Sequence, residues 1–245
     1  MARVGLQLYT VREECERDLE GTLHEVARLG YEGVELWQLH GSDASQVRGW
    51  LDETGLVAVG RHASLPALEE GLPQLADELA VLGTDRVALS FIEPAPGAVE
   101  RIAAVAQTAA AAGLRLGFHN HAAELQPFGD GGGTFLDRLR ELPSDLLWLE
   151  LDLGWVWHAG ADPVAELAKT SGRCPLVHVK DFRSREDRDD VPIGDGAVGY
   201  DRVLPAALRA GVEWLVVEED EVEEPAFDAV ARSLDAVRRL AATSP

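Results

Sequence analysis

The chain has 245 residues, enough for one large core and close to the roughly 250 of a complete (β/α)8 barrel. Its 43 Asp and Glu against 22 Lys and Arg give a formal charge of −21, the wrong sign for gripping a duplex or an anionic membrane surface. No apolar run approaches the roughly 20 residues that cross a bilayer. The first residues lack the basic and apolar regions of a secretory leader, and Cys15 and Cys174 form no CxxC pair, so a cytoplasmic protein without disulfides is expected.

Taken in chain order, a strand over 5–9 opens the sequence. Gly30, Gly55, Gly83 and Gly113 then each close a helical stretch and precede a β-rich run, at 34–37, 56–59, 86–89 and 114–118. Glycine reaches the left-handed conformation of a helix C-cap without a Cβ penalty, and the first gaps of roughly 25 to 30 residues are the length of one βα unit. Leu68, Leu72, Leu75, Leu79 and Leu82 recur at steps of four and three and predict one helical stripe. Strands at 146–153 and 176–179 lack the glycine. Asp162-Pro163 reads as an N-cap and first turn, and Pro175 as a stop. Gly211 precedes the last strand, 214–217. Phe227, Val230, Leu234, Val237 and Ala241 form the final stripe.

Strands alternating with helices predict a parallel sheet covered by helices. The expectation is an α/β protein, a single-domain (β/α)8 TIM barrel over 1–245. An open doubly wound sheet is the competing architecture, but the first strand runs into Thr10-Val11-Arg12-Glu13-Glu14 instead of a glycine-rich phosphate loop. The segments 128–133 and 183–190 follow the fifth and seventh strands and read either as mobile lids or as solvated surface loops.

Side chains at the C-terminal ends of barrel strands converge on one mouth. There the chain places Glu35 and Trp37; Arg61 and His62; His119, His121 and Glu124; Glu150, Asp152 and Trp155; His178 and Lys180; and Glu218, Glu219 and Asp220. Residues two apart on a strand face the same way. Glu150 and Asp152 therefore share a face, with Leu149, Leu151 and Leu153 on the other. His119 pairs in this way with His121, and His178 with Lys180. Carboxylates crowded at an apolar mouth repel and are costly to desolvate, and a divalent cation is the simplest relief. Mixed carboxylate and imidazole donors suit Mn2+, Co2+, Zn2+ or Fe2+ above an all-oxygen Ca2+ site. Each residue has a plainer alternative. Glu150 could pair internally with Lys180, and His178, His119 and His121 could be hydrogen-bonded core histidines. Trp37 and Trp155 could be core aromatics instead of rings that stack on a sugar.

On these residues the chain resembles the xylose isomerase-like barrel superfamily, the sugar isomerases and epimerases that share a fold with endonuclease IV. The resemblance spans nearly the whole chain. It runs through Gln7-Leu8-Tyr9-Thr10-Val11-Arg12, Gly30-Tyr31-Glu32-Gly33-Val34-Glu35, Phe118-His119-Asn120-His121, Glu150-Leu151-Asp152, His178-Val179-Lys180-Asp181, Ile193-Gly194-Asp195-Gly196 and Val217-Glu218. It implies four metal ligands on strands five to eight: Glu, Asp, His and Glu. Asp152, His178 and Glu218 match the last three. His119 stands where ketose epimerases carry the first Glu, and Glu150 is the candidate to replace it. Trp155 stands where His is usual in the sixth-strand Asp-x-Gly-His.

The activity the resemblance implies is sugar isomerisation or epimerisation through an enediolate, with a divalent ion, Mn2+ ahead of Co2+, Zn2+, Mg2+ or Fe2+. Glu150 or Glu218, or else His121, would move the proton and Lys180 would stabilise negative charge. His62, His119, Trp37 and Trp155 would contact a small-molecule sugar. The nearest alternative is a lyase that expels a β-hydroxyl, as inosose dehydratases and keto-glycoside lyases do. An endonuclease IV-like nuclease and a non-catalytic sugar-binding barrel are the remaining ones. Neither nucleic acid nor membrane is an expected partner, and a homo-oligomer is, since relatives are often dimers or tetramers.

Overall fold

The structure is a computed structural model that describes residues 2–129, 132–170, 172–221 and 223–242. Asp130 and Gly131, in the middle of the first candidate lid, lie outside them. The strands are β1 (Arg3–Gln7), β2 (Gly33–Leu36), β3 (Val57–Ala63), β4 (Arg86–Leu89), β5 (Arg115–His119), β6 (Trp148–Asp152), β7 (Leu176–Val179), β8 (Asp181–Phe182), β9 (Asp190–Val191) and β10 (Trp214–Val217). Eight of them close one barrel in the order β1-β10-β7-β6-β5-β4-β3-β2, and every neighbouring pair is parallel. This is the expected TIM barrel. The remaining two strands, β8 and β9, form an antiparallel hairpin, so the second candidate lid is the tip of that hairpin. Among the described residues no helix is long and apolar enough to cross a membrane.

The expected runs at 86–89, 176–179 and 214–217 are strands with those bounds, and the other strands shift for local reasons. β1 stops at Gln7 because the Gln7 side chain accepts from the Tyr9 amide and starts a 3-10 turn, Leu8–Val11. β6 stops at Asp152 because its carboxylate accepts from the Trp155 amide at 2.8 Å and caps the helix Leu153–His158. The single leucine stripe is two helices, Leu65–Glu70 and Leu72–Leu82. Pro73 has no N–H to carry a ladder backwards, so the chain breaks at Gly71, whose amide closes the first helix on the Ala67 carbonyl. Gly30 and Gly83 are left-handed caps, at φ 106° and 82°, as their position after a helical stretch predicts.

Leu149, Leu151 and Leu153 pack outward into the helix-covered core. The barrel interior is a separate cluster of Val59, Ala88, Trp148, Leu176, Trp214 and Val216. Two indoles fill this floor because glycines make room for them. A Cβ on Gly33 would sit 2.8 Å from Trp214, and one on Gly117 would overlap the Trp148 ring. Above this apolar floor the register sets polar residues side by side: Gln7 beside Glu35, His119 beside Glu150, and Asp152 beside His178. A register shift between Val34 and Glu35 re-aims β2 where that layer begins.

Overpacking a filled interior typically costs about 1–3 kcal/mol. Gly117→Ala is therefore expected to lower the urea midpoint with an unchanged m-value. An unaltered midpoint would contradict an indole-filled floor.

Candidate metal centre

The polar layer converges on Glu150. Its Oε1 lies 2.5 Å from His178 Nε2, 2.8 Å from His62 Nε2 and 3.2 Å from His119 Nδ1. His178 reaches two more carboxylates, with Nε2 2.6 Å from Glu35 and Nδ1 2.8 Å from Glu218. Gln7 Nε2 donates to Glu35 at 3.0 Å. Lys180 Nζ lies 2.6 Å from Asp220 and 3.4 Å from Glu218. Its backbone is fixed by the Tyr200 hydroxyl, which donates to the Lys180 carbonyl and accepts from its amide. Glu35, Glu150, Asp152, His178 and Lys180 are fully buried.

The donor atoms of His119, Asp152, His178 and Glu218 all lie within 4.8 Å of one another, as do those of His62, His119, Glu150 and His178. Ligands on opposite sides of an ion at roughly 2.1 Å are about 4.2 Å apart, so a group spread over at most 4.8 Å reaches one coordination shell by closing a few tenths of an ångström. Asp152 Oδ2, Glu150 Oε2 and Glu35 Oε1 are buried oxygens without a hydrogen-bond partner among the described residues. The donor set thus fits a divalent cation.

Above the layer opens a cleft of about 840 Å3, lined among others by His62, His119, His121, Trp37, Trp155 and Glu218. His121 stands edge-on to Phe91, 5.8 Å between ring centroids. Trp37 packs edge-on against Tyr9 at 5.2 Å. Trp155 is buried between His121 and Phe182, so it is both a core aromatic and a cleft wall.

A protein-family model described as a xylose isomerase-like TIM barrel matches residues 23–240. The chain belongs to this family. A search of curated proteins finds no match. Among solved structures, this xylose isomerase-like barrel is similar to a sugar phosphate isomerase/epimerase from Parabacteroides distasonis, with a TM-score of 0.80, 22% identity, and 99% of this chain and 94% of that one covered. It is similar to an L-ribulose 3-epimerase, with a TM-score of 0.76, 19% identity and coverage of 100% and 96%. It is also similar to the probable 3-DHS dehydratase AsbF of petrobactin synthesis from Bacillus anthracis, with a TM-score of 0.78, 17% identity and coverage of 96% and 98%. At these identities the likeness is one of fold.

The residues singled out in the sequence mostly meet in this barrel, with two regroupings. Asp152, His178 and Glu218 come together, but the fourth donor beside them is His119. Glu150 lies instead among His62, His119 and His178. Lys180 pairs with Glu218 and Asp220, not with Glu150 as the internal-pair alternative had it. His62, placed in the sequence as a substrate contact, lines the cleft and also bonds Glu150. Glu35 was visible as a strand-end acid without a role, and the structure puts it on His178. Its signal was its phase with Trp37 on one strand and its place opposite Gln7 on the next. Asp195 lies away from the layer and pairs with Arg232. The neighbouring turn takes its shape from Asp181, which accepts from the amides of Gly194, Gly196 and Val198.

The electrostatics of the barrel mouth follow from burial. Four buried carboxylates, Glu35, Glu150, Asp152 and Glu218, face one buried ammonium, Lys180. Burial disfavours an ionised His62, yet Glu35 and Glu150 outweigh it and hold the ring at about 10. His178 is likewise raised against its burial, by Glu150, Glu218 and Glu35. His119 is lowered to about 4, by burial and then by His178. Burial pushes Asp152 up to about 7 even with Lys180 opposing. The layer thus holds protons on His62 and His178, the rings that face several carboxylates, and keeps His119 neutral.

A second buried acid lies just past β10. Glu219 accepts from the Ser233 hydroxyl at 2.6 Å, and its Oε2 has no hydrogen-bond partner among the described residues. Burial raises it from 4.5 to about 7. The folded protein therefore keeps this proton to about pH 7, while the unfolded chain releases it near 4.5. Between those values the unfolded state binds fewer protons, so stability falls as pH rises, by an amount on the order of 3 kcal/mol. Glu219→Gln is expected to raise the Tm at pH 8 and leave it nearly unchanged at pH 4. Equal effects at both pH values, read by circular dichroism, would refute the shift.

Proposed function

We propose that this barrel is a divalent-metal-dependent enzyme that moves a proton next to the carbonyl of a sugar or keto-sugar and so isomerises or epimerises it. The observation that carries this is the convergence of His119, Asp152, His178 and Glu218 donors at the inner end of the cleft. We assign these four as the cage, with Mn2+ the first choice for mixed carboxylate and imidazole donors and Co2+, Zn2+, Mg2+ and Fe2+ as competitors. A cation held there would polarise the carbonyl and offset the negative charge that proton loss creates.

The chain's own groups divide the remaining work. Glu218 and His121 both border the cleft and are the candidates to take and return the proton. Glu150, buried beneath, lies within 3.2 Å of nitrogens of three imidazoles and helps to fix their ring orientation. Lys180 stands 3.4 Å from Glu218 and stabilises negative charge at that end of the cleft. Trp37, Trp155 and His62 bound the sugar, and the apolar floor of Trp148 and Trp214 keeps bulk water from the barrel interior. The fold neighbours whose names give isomerase or epimerase activity support this reading.

A lyase reading on the same residues is supported by the dehydratase among the neighbours and by His119 where a Glu is expected. Proton loss next to the carbonyl is common to both. They differ in whether a β-substituent then leaves.

Asp152→Ala and His178→Ala, purified without chelator, are expected to fall from about one bound metal per chain to near none. Turnover of a keto-sugar should fall at least about a hundredfold. Elemental analysis and steady-state kinetics check this, and a metal-free variant with undiminished turnover would sink the proposal. Mass spectrometry of the product separates the two readings: isomerisation conserves mass and dehydration loses one water.

A further inference from the structure

The four-residue cage leaves part of the buried charge unanswered. A divalent ion among its proposed ligands would be matched by Asp152 and Glu218 within its own shell. Glu35 and Glu150 are as deeply buried and lie outside that group. The Lys180 ammonium is engaged elsewhere, 2.6 Å from Asp220 and 3.4 Å from Glu218. Two carboxylates taken out of water beside the same imidazole nitrogens call for a cation of their own.

The distances show where that cation fits. His62 Nε2 lies 2.8 Å from Glu150 Oε1 and 3.3 Å from Glu35 Oε2. His178 Nε2 lies 2.5 Å and 2.6 Å from the same two oxygens. The two rings are stacked, 10° from parallel with centroids 5.3 Å apart. Neighbouring ligands of a tetrahedral ion at roughly 2.1 Å are about 3.4 Å apart. The four atoms therefore reach one shell by moving apart by less than about 1 Å.

A second observation points the same way. Three carboxylate oxygens of this layer are buried without a hydrogen-bond partner among the described residues. Asp152 Oδ2 belongs to the cage, but Glu35 Oε1 and Glu150 Oε2 belong to the lower group. A Cβ at Gly60 would stand 3.1 Å from Glu35 Oε1, so β3 carries no side chain against that oxygen. His178 faces both groups through different nitrogens. Its Nδ1 is 2.8 Å from Glu218, and its Nε2 is turned to Glu35 and Glu150.

We propose that the barrel binds a second divalent ion beneath the cage, among Glu35, His62 and Glu150, with the His178 ring between the two ions. The proposal takes its first ion from the metal-centred reading above and adds a site to it. Two carboxylates and an imidazole suit Zn2+, Mn2+ or Co2+. Glu35 and Glu150 are fully buried, so the lower ion orients the rings above it and does not meet substrate. Two like charges across one ring repel, so the second ion binds more weakly and fills after the first.

Equilibrium dialysis against excess Mn2+ tests this, with bound metal read by elemental analysis. The parent should rise from about one ion per chain as purified to about two. His62→Ala and Glu35→Gln should each stop at about one. Electron paramagnetic resonance on the parent needs no variant. The Mn2+ signal of the first ion should broaden as the second enters, because spins on either side of one imidazole couple. Saturation of the parent at about one ion would overturn the proposal, as would an unbroadened signal at saturation. So would a second equivalent that persists in both variants or vanishes in His24→Ala. Glu20, His24 and Glu53 are an exposed group of metal-type donors on the outside of the barrel, and an ion held there is adventitious. Asp152→Ala separates this site from the cage. Uptake of about one ion on dialysis, lost when His62→Ala is added, supports the lower site whatever the turnover. A single ion lost in Asp152→Ala and kept in His62→Ala would remove the second site and leave the first.

Discussion

Three imidazole nitrogens crowd Glu150 Oε1 within 3.2 Å, and the reason is electrostatic. Four carboxylates are taken out of water in one barrel mouth, and each would repel the others without a compensating positive charge. Lys180 supplies one. The histidines supply more by taking protons or, in the proposed cage, by sharing a divalent ion. Metal binding requires neutral imidazoles, so the ion would replace protons that His62 and His178 otherwise hold. The pull that raises these two rings is the pull that would retain a cation, and it explains why so many acids are tolerated at the centre of a stable fold.

That arrangement depends on the floor beneath it. Trp148 and Trp214 fill the lower barrel only because Gly33 and Gly117 carry no side chain there. The indoles and their neighbours set an apolar cluster directly beneath the polar layer. The interactions among Glu35, Glu150 and His178 therefore act in a medium of low polarizability, where they are stronger than at a surface. A cavity in the floor would weaken the electrostatics of the mouth without touching a single site residue. Packing and chemistry are coupled through the dielectric, and the glycines belong to both.

The barrel itself was legible because its signals are local. Helix-ending glycines and a proline stop before a β-rich run depend on a few consecutive residues, and β4, β7 and β10 lie where those signals put them. Asp152, His178 and Glu218 were legible for the same reason, each being at a strand end and in phase with the interior. The fourth donor was not. Whether His119 or Glu150 stands beside Asp152 depends on the stagger between β5 and β6, a property of the closed sheet and not of either segment. The break at Gly71 had a local signal in Pro73, which the regular leucine spacing masked.

The stagger also clarifies the exchange of Glu for His on the fifth strand. With His119 in the cage, the four proposed ligands carry two carboxylates, one fewer than the Glu, Asp, His and Glu set of the resemblance. The missing negative charge is not lost. Glu150 restores it one layer lower, where it lies 3.2 Å from His119 and 2.5 Å from His178, two of the rings in the proposed cage. A carboxylate behind a metal-binding imidazole raises the basicity of that ligand and fixes its orientation. The total charge near an ion held there would thus be conserved while the proposed shell around it is softer, which would move preference from Mg2+ toward Mn2+, Co2+, Fe2+ and Zn2+. It also removes a carboxylate from the substrate side of the shell. Glu218 is then the carboxylate among the proposed ligands that borders the cleft, and in the proposed reaction it and His121 are the groups placed to move the proton.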